Sequence, residues 1–75
     1  MNQYDYSKLS GKIVEVCRTQ AIFARKMGLS ERSISLKLNN KVPFNQLEIE
    51  KAMDILKIDA EEMQKYFFKK EVQNN

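Results

Sequence analysis

Two short apolar-faced segments, residues 20–27 and 31–38, are joined in this chain only by Gly28-Leu29-Ser30. No other feature limits the fold as much. Phe23, Ala24 and Met27 share one helical face, as do Ile34 and Leu38, so both segments read as amphipathic helices. Thr19 is placed to cap the first and Ser30 the second, because a side-chain oxygen there accepts from the unpaired amides of a first turn. Gly28 ends the first helix, being the residue that most readily takes a left-handed backbone just past a helix. Two helices joined by so short a glycine-containing turn cross steeply, and both need a common core to cover their apolar faces.

The remaining segments supply that core. Leu9, Ile13 and Val16 form one face of a helix over residues 7–17, with Cys17 just beyond the stripe. Val42-Pro43 interrupts the middle of the chain, since proline disfavours the helical region in the residue before it. Asn45 and Glu48 then have the spacing of a capping box, Phe44 and Ile49 that of a hydrophobic staple, and Ile49, Ala52, Met53 and Leu56 give the following helix its buried face. The same grammar returns at residues 58–63, with Asp59 and Glu62 as the box and Ile58 and Met63 as the staple, and predicts a short fifth helix through Phe67. Residues 1–75 thus read as a single all-α domain of five helices, with residues 69–75 as a flexible polar tail.

Composition narrows the function. The chain is 43% apolar and 31% charged, with two Gly and one Pro, which fits packed helices rather than a disordered segment or a turn-rich β fold. One cysteine and no histidine leave neither an internal disulfide nor the usual zinc ligand sets, so Cys17 is expected to be a reduced core thiol. Without a histidine, a partner for the thiol or a glycine-rich phosphate loop, no enzymatic activity, cofactor or small-molecule ligand is expected. The chain shows no signal peptide and no apolar run of membrane-spanning length, so a cytoplasmic protein is expected. Residues 1–45 carry eight Lys and Arg against three acidic residues, a net +5, while residues 46–75 carry five Lys against seven acids, a net −2. A basic half beside a mildly acidic half suits a polyanion on one side of the molecule.

The stretch from Gln20 through Gly28 to Ser35 resembles the helix-turn-helix of the phage repressor and Cro family. Ala24, Gly28 four residues later and Ile34 six after that stand at the family's marker positions, and the likeness runs on through residues 37–44. It is nearest to short Cro-like regulators of phages and prophages of Gram-positive bacteria. One departure is Asn40, where many relatives carry glycine; asparagine also tolerates a left-handed backbone. The resemblance implies a lambda-repressor-like domain, with the helix-turn-helix at about residues 19–39, that binds double-stranded operator DNA as a repressor. It places Glu31, Arg32, Ser33 and Leu36 at base edges. Helical geometry agrees for Arg32 and Leu36, which fall opposite Ile34 and Leu38, and the chemistry fits: Arg pairs with guanine, Glu accepts from cytosine, and Leu can cover a thymine methyl. Phosphate contacts are expected from Gln20, Asn39, Asn40, Lys41 and Lys37, with Lys12, Arg25 and Lys26 adding to the field.

Tyr66, Phe67 and Phe68 form an apolar cluster near the end of the chain, of which helical packing would take Phe67 into the core with Met63 and leave Tyr66 or Phe68 partly exposed. The cluster suits the contact of a homodimer, free or formed only on DNA. With the acidic second half it also supports another reading: an anti-repressor or adaptor that keeps the helix-turn-helix shape and binds a protein.

Overall fold

The computed structural model describes residues 3–72. Five helices follow in order: α1 Ser7–Cys17, α2 Gln20–Met27, α3 Glu31–Leu38, α4 Gln46–Leu56 and α5 Met63–Phe67, the last entered through a single 3-10 turn, Ala60–Glu62. The local signals account for most boundaries. The Thr19 hydroxyl accepts from the Ile22 amide and the Ser30 hydroxyl from the Ser33 amide. Gly28 is left-handed at φ +74°, and its amide and that of Leu29 return to the last carbonyls of α2. At the head of α4 the capping box is complete: the Glu48 amide donates to Asn45 Oδ1 at 2.8 Å, and the Asn45 amide donates to Glu48 Oε1 at 3.0 Å. An Asn45→Ala chain should lose about 1 kcal/mol of stability, as cap deletions typically do. A urea midpoint equal to that of the parent would contradict this role for the cap.

The second expected capping box does not form. Glu62 N–H donates to the Asp59 backbone carbonyl at 2.8 Å, a 3-10 bond that takes the amide the Asp59 side chain was expected to hold. The Glu62 carboxylate turns instead to Lys65 at 3.1 Å, and Met63 lies partly exposed at the surface while Ile58 is buried.

α2 lies at the centre, packed against α1, α3 and α4, while α1 also meets α4 and α5. Leu9, Ile13, Phe23, Ile34, Ala52, Leu56 and Phe67 are sealed from solvent where these helices converge, and Cys17 is a buried free thiol among them. Apolar residues spaced at helical intervals on α1 to α4 therefore meet in one core, and their burial drives the packing.

The chain ends are tied together. Asp5 N–H donates to the Lys69 carbonyl at 2.6 Å and Glu71 N–H to the Gln3 carbonyl at 3.0 Å, which makes Tyr4 and Lys70 an isolated antiparallel bridge. The outward-facing peptide groups of Tyr4 are satisfied by a side chain: its N–H donates to Asn40 Oδ1, and Asn40 Nδ2 donates to its carbonyl, both at 2.9 Å. The Asn40 carboxamide thus stands where a third strand would. Residues 69–71, expected to be part of a flexible tail, are paired backbone instead, while residues 73–75 of that tail lie outside the described part of the chain.

Candidate functional site

The residues expected to face a partner start at the amino end of α3. Glu31 and Arg32 are exposed, one charge of each sign, while Ser33 and Leu36 are half-buried. The Ser33 hydroxyl accepts from that of Ser30 at 2.9 Å, so it takes part in the cap of its own helix. Gln20 is half-buried in the first turn of α2. Lys41 is exposed just past α3, and Asn39 is exposed with its amide nitrogen donating back to the Ser35 carbonyl at 2.8 Å.

Two of the residues expected to hold phosphate are structural. Lys37 is only 7% exposed; its ammonium lies 2.8 Å from Glu48 Oε1, donates to the Pro43 carbonyl at 3.1 Å and sits 5.8 Å from the centre of the Phe44 ring. A cation so placed joins α3 to the loop and to α4, and cannot reach a phosphate without breaking that contact. Asn40, with φ at +62°, spends both ends of its carboxamide on Tyr4.

The pairing leaves a mark on Glu48. Desolvation raises its pKa, but the Lys37 ammonium and the Asn45 amide outweigh it and hold the carboxyl below its ordinary value. Asp5 is held low by the hydroxyl and amide of Ser7, and Glu62 by Lys65.

The cluster expected at a subunit contact is divided. Phe67 is 1% exposed and packs in the core, so it cannot meet a second subunit in this fold. Tyr66 is half-buried beneath Lys8, whose ammonium lies 5.1 Å from the ring centre, and Phe68 is partly exposed, edge-on to Tyr4 with ring centres 5.8 Å apart. Other surface apolar groups carried no sequence signal beyond their hydrophobicity. Val42 is 39% and Leu47 77% exposed; the Val42 amide donates to the Leu36 carbonyl at the end of α3, and Leu47 stands in the first turn of α4. No helix among the described residues is long and apolar enough to cross a membrane.

A family model described as a protein of unknown function (DUF739) matches residues 2–70. The chain belongs to this family. Among solved structures, it is similar to the solution structure of the modulator of repression (MOR) of the temperate bacteriophage TP901-1 from Lactococcus lactis. The two are 55% identical and superpose with a TM-score of 0.78, and the match covers 87% of this chain and 88% of that one. No curated protein matches the chain.

Arg32 and Leu36, one helical turn apart, share the outward face of α3, while Glu31 stands about 100° round from Arg32 in the first turn. Lys37 and Asn40 are withdrawn from that face into the framework that holds it.

Proposed function

We propose that this chain is a phage regulatory protein that modulates repression by binding a repressor protein, using the face formed by α3 and the loop after it. The observation that carries the reading is the 55% identity, over most of both chains, to a protein named as a modulator of repression. The surface supports it. With Lys37 and Asn40 committed internally, α3 and the loop after it expose Glu31 against Arg32 and Lys41 rather than a field of cations, beside the half-buried Leu36 and the exposed Val42. Faces of low net charge with exposed apolar groups suit protein partners, whereas duplex DNA is held mainly by many contacts to its phosphates.

Operator binding as a homodimer is the second reading, and the exposed Arg32 at the head of α3, in the basic half of the chain, favours it. One experiment separates the two. The chain, the repressor of the same phage and the operator duplex are mixed pairwise and together at about 150 mM salt, a screened regime in which weak non-specific contacts fall away. The expected result is a stable complex with the repressor and only weak, salt-sensitive retardation of DNA by the chain alone. Arg32→Ala should weaken the repressor complex by about 1 to 2 kcal/mol, the usual scale for an interfacial arginine. Sequence-specific operator binding by the chain alone, without any repressor complex, would overturn the proposal.

A further inference from the structure

Tyr4, Tyr6, Phe44, Phe67 and Phe68 come from three distant parts of the sequence and form a continuous run of aromatic contacts. Ring centres are 5.5 Å apart for Tyr6 with Phe44 and for Phe44 with Phe67, 5.8 Å for Tyr4 with Phe68 and 6.0 Å for Tyr4 with Tyr6. With Asn40, Val42, Pro43 and Ile49 they wall an open cavity of about 250 Å3. That is smaller than the roughly 300 to 1,000 Å3 of pockets for drug-sized ligands, and of a size for one large side chain.

Tyr6 gives the cavity a polar requirement. The residue is 8% exposed, and its hydroxyl has no hydrogen-bond partner among the described residues. Every sealed side-chain polar atom among those residues does have a partner, so the Tyr6 oxygen keeps some access to solvent, and Tyr6 is one of the residues that line the cavity. Burial, and behind it the neighbouring Tyr4, push its pKa upward. The hydroxyl is therefore a neutral donor, free to bond to a ligand or to water.

Charge settles the character of the occupant. Lys41, next in sequence to the lining residues Asn40 and Val42, and Lys70, across the bridge from Tyr4, are exposed and have no carboxylate within ion-pair distance among the described residues. Lys69 faces Asp5 at 3.7 Å. The nearby acids are Asp5, whose carboxylate is already held by Ser7, and Glu71, so the rim keeps a cationic excess.

We propose that this cavity docks a single large apolar side chain of a protein partner, carried in an acidic stretch of that partner, with a carbonyl or carboxylate oxygen of the stretch accepting from the Tyr6 hydroxyl. It rests on the protein-partner reading for the class of macromolecule and adjoins the α3 face, sharing Val42 and the loop after α3 with it.

The test uses capped tripeptides and the full chain, which contains no tryptophan, so indole emission reports the probe alone. Asp-Trp-Asp should bind saturably, with a blue shift of its emission and amide shifts in the protein centred on residues 40–44 and 67–70. Lys-Trp-Lys should bind about tenfold more weakly, since two charges change sign near the cationic rim. Asp-Ala-Asp should leave the cavity resonances unmoved. Tyr6→Phe should weaken Asp-Trp-Asp by about three- to tenfold, the scale of one lost hydrogen bond. Val42→Glu, a change at an exposed rim position that the fold can bear, cancels the single excess charge and should remove most of the preference between the two tryptophan peptides. Equal binding of both tryptophan peptides, shifts centred elsewhere, or no binding at all would overturn the cavity proposal. A chain that binds the repressor but no peptide refutes this site alone, whereas one that takes Asp-Trp-Asp but not the repressor refutes the functional reading and keeps the site.

Discussion

A Lys37→Met chain is expected to unfold at a clearly lower urea concentration than the parent, with a loss towards the lower end of about 3 to 5 kcal/mol. Methionine retains most of the side-chain bulk but removes the ammonium, so the Glu48 carboxylate, 17% exposed, keeps its desolvation and loses its counter-charge. For a domain of this length total stability is about 4 to 11 kcal/mol, so a large part of it rests on this contact. The pH dependence should change as well. In the parent, Glu48 has a folded pKa below its ordinary value of 4.5, so its contribution is present above that pH and is lost as pH falls through the folded value. In Lys37→Met the largest favourable cause is gone, and the acid limb of the stability profile should flatten. Lys37→Met combined with Glu48→Leu should recover much of the loss, because no unpaired charge is left buried. A single variant that melts like the parent would mean that the ammonium is hydrated and unpaired in solution.

Phe67→Ala should cost about 3 to 5 kcal/mol, the range for truncating a fully buried aromatic side chain. Phe67 is the only buried residue of the five-residue helix α5 and touches Phe44 edge-on with ring centres 5.5 Å apart. A helix this short has no stability of its own, so the side chain holds it to the rest of the domain. Hydrogen exchange should accelerate at the amides of Asp5 and Glu71 before it does in α2, since the paired chain ends depend on α5 being docked. The defect should be the same at every protein concentration. Recovery of the parent's stability at high concentration would instead place Phe67 at a contact between subunits.

What could be read from the sequence was whatever neighbouring residues decide among themselves. Thr19, Gly28, Ser30 and the Asn45–Glu48 box bracket their helices by contacts within one or two turns, and the structure keeps each one. The Asp59–Glu62 pair has the same spelling but fails, because a 3-10 entry spends the amide that the box requires. Lys37 was misjudged for a different reason: its burial depends on a carboxylate eleven positions further on, in another helix. Asn40 was read as a phosphate contact, yet its partner Tyr4 is 36 residues away. Helical packing offers Phe67 for the core, but a five-residue helix has too little periodicity to decide between that and a place for the whole cluster at a subunit contact.

The bridge between Tyr4 and Lys70 has a practical consequence for anyone who handles this protein. Gln3 and Glu71 are joined by a hydrogen bond of 3.0 Å, so anything appended before the one or after the other leaves the surface at the same corner. A purification tag, a fluorophore or a fused domain attached at either terminus would therefore crowd the Tyr4 and Phe68 side of the molecule, and moving the label from one end to the other would not relieve it. Lys57, exposed at the carboxyl end of α4, is a labelling position that belongs to neither terminus. The same proximity makes the chain suited to circular permutation: a few residues of flexible linker can join the old ends. New ends opened at Lys57 would then leave the capping box, the Lys37–Glu48 pair and the Asn40 clasp on one unbroken stretch of backbone.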